Sequence, residues 1–157
     1  MFAIARCPVP QGALLGRYVR ERAYADCYVT DIARAVSHAQ FVEAFYTTAA
    51  FKLERLILSW TLSRPSTDGE ARQLAAGTLD AFAAWRVEER AGDQLLLSDI
   101  FGRTRSWLMA ASAGEARTRL YFGSAVVSLS FGFRALLGLH KVYSRVLLHA
   151  AKSRLET

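Results

Sequence analysis

The stretch from Trp85 to Val127, WRVEERAGDQLLLSDIFGRTRSWLMAASAGEARTRLYFGSAVV, decides the fold. It divides into four runs with strand-like patterning: Trp85 to Arg90, Gln94 to Ile100, Thr104 to Ala111 and Arg117 to Val127. Between them stand Ala91-Gly92-Asp93, Phe101-Gly102-Arg103 and Ser112-Ala113-Gly114-Glu115, short glycine-bearing breaks of the kind that close hairpins. Four strands joined by three consecutive hairpins form an antiparallel meander.

Beyond Ser130 the period changes from two to 3.6 residues. Phe133, Leu136, Leu137, His140, Tyr143, Ser144, Leu147, Ala151 and Leu155 recur at three- and four-residue steps, with Arg134, Lys141, Arg145 and Lys152 on the other side. This pattern predicts a long amphipathic helix from about Gly132 to Leu155. Upstream of the meander, Tyr24 to Ile32 alternates two sets of β-branched and aromatic residues and reads as a first strand. Ser37 precedes Gln40 by three residues, the spacing of a capping box, so a helix is expected to start there with Phe41, Val42 and Phe45 on its apolar face. Phe51, Leu53, Leu56, Ile57 and Trp60 mark a second helix ending before Pro65. Thr67 and Glu70 open a third, with Leu74 and Leu79 on its buried side and Gly77 loosening it. Residues 1–23, carrying Pro8, Pro10, Gly12 and Gly16, are expected to be an irregular lead-in, and residues 24–157 a single domain.

Composition bounds the function. The chain has 157 residues, 52% hydrophobic and 22% charged, enough for one domain with a sizeable core. Its apolar stretches fall short of the ~18–20 residues a membrane span needs. Arg6, Pro8 and Pro10 interrupt the apolar start before a secretory core forms, so a cytoplasmic protein is expected. Cys7 and Cys27 are too few for a disulfide framework and have no metal-ligand spacing; reduced thiols and no metal are expected. The net charge of +6 comes from seventeen Arg and three Lys spread along the chain, commonly beside acids. Dispersed charge of that kind is a solvated surface, and nucleic acid is not expected as a partner. No Ser-His-Asp order, GxSxG elbow, phosphate-binding glycine run or HExxH is present, which disfavours hydrolase, nucleotide-binding and zinc-protease chemistry.

The element order, strand, helices, antiparallel meander and long C-terminal helix, resembles the helix-grip fold of the START and polyketide-cyclase (SRPBCC) superfamily. Local runs such as Phe45-Tyr46-Thr47-Thr48, Thr118 to Ser124 and Leu139 to Ser144 look like bacterial members of unassigned function in that superfamily. The resemblance implies an α+β fold in which the sheet wraps around the C-terminal helix and leaves a cavity between them. About five strands are read here, where that fold commonly has six or seven.

Hairpin register groups Trp85, Val87, Leu96, Ser98, Arg105, Trp107, Met109 and Tyr121 on one face. Leu95, Leu97, Leu108, Leu120, Phe122 and Val126 fall on the other, together with Arg86, Glu88 and Asp99. If the first face is concave, Trp85, Arg105, Trp107 and Tyr121 are the ligand-binding candidates. A buried Arg105 then needs an anion, either a ligand carboxylate or phenolate or one of Glu54, Glu89 and Asp99. His140 and Tyr143, one turn apart on the helix, are the catalytic candidates, with the imidazole suited to proton transfer near a carbonyl. A lone histidine on an apolar face is usually a satisfied core residue. Asp26 and Tyr28 are further candidates. Three function classes follow: a binding protein for a small hydrophobic or aromatic molecule, without cofactor; a cyclase or dehydratase using the same cavity; and a cavity-free interaction module. The last is favoured if Leu95, Leu97, Leu108, Leu120 and Phe122 are left bare, since a second copy of the chain would then cover them.

Overall fold

A computed structural model describes residues 3–52, 66–127 and 131–157, with the backbone alone for 131–142. The described strands are β1 (Ala5–Arg6), β2 (Tyr24–Ile32), β3 (Ala81–Phe82), β4 (Trp85–Ala91), β5 (Gln94–Asp99), β6 (Thr104–Ser112) and β7 (Thr118–Val126). All neighbours pair antiparallel in the order β1-β2-β7-β6-β5-β4-β3. The helices are α1 (Gly16–Arg20), α2 (His38–Thr47), α3 (Asp68–Ala76) and α4 (Phe131–Glu156). The result is an α+β fold, an antiparallel sheet with a long C-terminal helix, as expected. The strand count is seven rather than five, because β1 and β3 are two-residue edge strands, too short to display a period.

Local signals explain where the helices begin and end. Ser37 Oγ accepts the Gln40 backbone N–H while Gln40 Oε1 accepts the Ser37 N–H, a complete capping box that satisfies two donors helix formation would orphan. Phe41, Val42 and Phe45 are buried as predicted. Thr67 caps α3, but Gly77 ends that helix instead of loosening it. Gly77 sits in the left-handed region at φ 83°, which leaves Leu79 outside the helix. The predicted helix through Leu53 and Trp60 falls on residues 53–65, outside the described residues.

Pairing fixes the faces. Leu96 opposes Trp107, Ser98 opposes Arg105 and Met109 opposes Tyr121, so these residues share a face as expected. The β4 assignment was inverted. The register shifts between Val87 and Glu89, where an extra residue bulges out of the ladder. Trp85 and Val87 therefore join Leu95, Leu97, Leu108, Leu120 and Phe122, while Glu88 lies with Arg105. The face expected to be concave is the outer one: the helices cover the other face, where Phe41, Phe45, Leu147, Leu148 and Ala151 pack on the leucine rows. Those rows are not bare, so the apolar patch that would call for a second copy of the chain is already covered.

The lead-in covers the outer face. Leu15 and Tyr18 pack on Cys27, Leu96, Trp107 and Ala125 to form a second core. Residues expected to be irregular thus carry β1 and α1, and proline and glycine mark the bends between these pieces.

Candidate functional site

On the inner face the core is solid at one end and hollow at the other. Around α2, Phe45 packs tilted against Phe122 at 4.8 Å between ring centroids, and Tyr46 meets Phe51 at 4.7 Å and Phe82 at 5.4 Å. Towards the far ends of β6 and β7 the packing opens into a cavity of about 140 Å³. Among the described residues, its apolar wall is made by Phe45, Phe51, Trp85, Phe122, Tyr143 and Leu147. Thr104, Ser106, Ser124 and Ser144 add hydroxyls. Strand alternation places Ser106 opposite Ser124, and Ser124 opposite Asp26, so a polar row crosses β6, β7 and β2.

Two buried polar groups near this row stand out. Trp85 Nε1 has no hydrogen-bond partner among the described residues, although an indole N–H can only donate. Asp26 is 3% exposed; its Oδ2 accepts from the Tyr24 hydroxyl at 3.1 Å, and its Oδ1 has no partner among the described residues. Burial, and then the carboxylate beside it, push the Tyr24 hydroxyl up to about 12, so it stays protonated and donating.

Of the candidates read from the sequence, Trp85 and Tyr143 border the cavity. His140 lies outside the residues whose side chains are described. Trp107 and Tyr121 do not reach this space: they pack together on the outer face, 6.0 Å between centroids. The Trp107 indole N–H donates to Gln94 Oε1 at 2.9 Å, and the same oxygen accepts the Leu14 backbone N–H at 2.8 Å. Arg105 borders the cavity, but its guanidinium is held on the outer face. There Arg105 Nε donates to Tyr18 Oη at 2.7 Å and Glu88 Oε1 at 3.0 Å, with its guanidinium 4.9 Å from the Tyr18 ring centre. Tyr18 donates to Glu88 in turn, and Arg17 completes the cluster at 2.7 Å. Burial alone would raise the Glu88 carboxyl; Tyr18, Arg105 and Arg17 more than offset that and hold it below the usual carboxylate range. Arg105 thus has an anion within the protein, and that anion is Glu88 rather than Glu89 or Asp99; Glu54 lies outside the described residues. What brings Glu88 to this face is the surplus residue that bulges out of β4, which only the strand pairing reveals.

Other reactive groups are tied up. Cys7 and Cys27 are free thiols with their sulfurs 3.4 Å apart, and burial raises both above the ordinary thiol range, which disfavours the nucleophilic thiolate. The His38 Nε2–H donates to the Leu108 carbonyl at 3.2 Å, and burial lowers the imidazole pKa. No group of metal-ligating side chains occurs among the described residues, and no helix among them is long and apolar enough to cross a membrane.

No family model matches the chain, and no curated protein matches it. Among solved structures it is similar to the solution NMR structure of CalU16 from Micromonospora echinospora, with a TM-score of 0.43 and 13% identity, over 94% of this chain and 71% of that one. It is also similar to the crystal structure of CalU16, with a TM-score of 0.37 and 12% identity, over 98% of this chain and 94% of that one. Likeness at this level transfers neither a ligand nor a residue role.

Proposed function

We propose that the protein binds a small, largely apolar molecule, about the size of one aromatic ring, between the sheet and α4. The observation that carries this reading is the cavity of about 140 Å³ walled by aromatic side chains between the sheet and α4. An apolar cavity of ~150 Å³ holds one benzene molecule, whereas drug-sized ligands occupy pockets of roughly 300 Å³ or more. A multi-ring ligand does not fit without movement of the walls.

The test is direct. Toluene, followed by ligand-observed NMR and by the melting temperature, is expected to bind and to raise the melting temperature with the logarithm of ligand concentration above its dissociation constant. Ser106→Val, which adds bulk to the cavity wall, should abolish the effect. Toluene that neither binds nor stabilises the native protein would sink the reading.

A further inference from the structure

We propose that Cys7 and Cys27 are a redox-active pair, which a small disulfide such as oxidised glutathione converts into a reversible cross-strand disulfide that locks the lead-in onto the sheet. The pair lies on the outer face, so the proposal is independent of the cavity. β1 and β2 run antiparallel with Ala5 opposite Val29 and Arg6 opposite Tyr28, and the same register carries Cys7 to Cys27. The Cys7 backbone N–H donates to the Cys27 carbonyl at 2.9 Å, which makes this a hydrogen-bonded ladder position. Opposite residues there have Cα atoms ~5.5 Å apart, inside the ~4.4–6.8 Å that a disulfide spans. The side chains already meet, with the sulfurs 3.4 Å apart. Closing that gap to a bond of ~2.05 Å asks for side-chain rotation, not for movement of either strand.

Exposure sets the order of attack. Cys27 is 0% exposed, whereas Cys7 is partly exposed and borders two open surface grooves, one beside Arg6 and one beside Arg119. Burial raises the Cys7 thiol, and its contact with Cys27 and the Arg119 charge draw it part of the way back. Cys7 is therefore the sulfur that meets the external reagent. Its thiolate attacks one sulfur of the small disulfide and breaks that S–S bond, leaving a mixed disulfide on Cys7 and a small thiolate that takes up the proton Cys7 lost. Cys27 then gives up its proton and attacks the Cys7 sulfur, which forms the Cys7–Cys27 bond and expels the second small thiol. Two electrons and two protons leave the protein, and the external disulfide is reduced to two thiols. Burial disfavours the Cys27 thiolate, and contact with Cys7 offsets this by making the second step intramolecular.

The bond closes a loop that contains Leu15 and Tyr18, the side chains that pack on Leu96, Trp107 and Ala125 to build the outer core. In the dithiol, a two-residue edge strand holds the start of that loop; in the disulfide, a covalent bond does. Cross-linking a loop of this length removes entropy from the denatured chain, so the oxidised protein should melt roughly 5–10 °C higher.

The native chain is equilibrated in glutathione buffers from reduced to oxidised, alkylated with iodoacetamide and weighed. The expected product loses both alkylation sites, weighs two hydrogens less than the dithiol, yields a Cys7–Cys27 cross-linked peptide and melts higher, and dithiothreitol reverses all of this. The variants read the order of attack: Cys27→Ser is expected to retain one glutathione on Cys7, and folded Cys7→Ser to take up none. The mass and melting data on the native chain stand without either variant. Thiols that react only in urea, a glutathione adduct that persists on native Cys7 without ring closure, or a disulfide between two chains overturns the pair. A Cys7–Cys27 bond with an unchanged melting temperature overturns the lock, and glutathione on Cys27 of folded Cys7→Ser overturns the order of attack.

Discussion

At Trp107 and Gly123 the outer face of β6 and β7 is filled to contact, whereas one residue away, at Ser106 and Ser124, the inner face of the same strands borders a void. Both faces carry large apolar side chains, so hydrophobicity alone does not distinguish them. The difference lies in the polar groups. On the outer face Trp107 Nε1, Gln94, Arg105, Tyr18 and Glu88 are bonded to one another or to the backbone. On the inner face Trp85 Nε1 and Asp26 Oδ1 lack partners among the described residues. Satisfied, close-packed polar clusters are what a structural interface looks like, and the space on the inner face is what the proposed ligand would fill.

Adding a methyl group to each face should break or sharpen this contrast most strongly. A Cβ on Gly123 would stand 2.6 Å from Leu15 Cδ2, 2.9 Å from Trp107 Cε3 and 3.1 Å from the Asp26 carbonyl oxygen. The leucine tip can swing aside. The buried indole and the backbone carbonyl cannot, so Gly123→Ala is expected to lose about 3 kcal/mol, the upper end of what overpacking costs. Ser106→Val enlarges a side chain on the same sheet by a comparable amount but has a cavity to grow into, and its change should stay within about 1 kcal/mol. Urea denaturation of both variants decides the matter; equal losses would mean that the inner face is as tightly filled as the outer.

Acid acts on the outer face next. The folded-state Glu88 carboxyl lies below its ordinary value of 4.5, so its contribution is complete above the unfolded pKa and disappears as pH falls through the folded one. Glu88→Gln should therefore destabilise by on the order of 1–2 kcal/mol at pH 7, typical of a charge-assisted hydrogen-bond cluster. The gap to the native protein should close as pH drops below about 4. Asp31, held low chiefly by its hydrogen bonds to Arg119, gives both proteins the same acid sensitivity, so the difference curve isolates Glu88. A gap that stays constant from pH 7 to pH 3 would show that the carboxylate charge contributes nothing.

How much of this was legible in the sequence follows from the physics of each signal. Period and capping are local, which is why β2 spans Tyr24–Ile32 and α4 spans Phe131–Glu156 within a residue or so of expectation. The β5–β6–β7 register was legible from the hairpins. The β4 register was not, because a bulge is one residue of surplus with no sequence mark of its own, and one residue exchanges Trp85 for Glu88 across the sheet. Which face is concave was not legible either. That depends on what covers each face, and the lead-in that covers the outer one has too little periodicity to announce a packed role.

The smallest expected effect is the one that tests the face assignment itself. Arg105→Met keeps an apolar stem against Tyr18 and deletes the guanidinium, while Glu88 retains Arg17 at 2.7 Å and the Tyr18 hydroxyl. With the carboxylate still paired and partly open to water, the loss in stability should stay near 1 kcal/mol, the range of a partly exposed ion pair. Toluene affinity should not change by more than about twofold, since a group on the far side of the sheet cannot touch a ligand between sheet and helix. Urea denaturation reads the first number and isothermal titration calorimetry on the folded variant the second. A tenfold loss of binding at unchanged stability would place the guanidinium in the cavity after all, and with it would return an anionic ligand as the natural occupant.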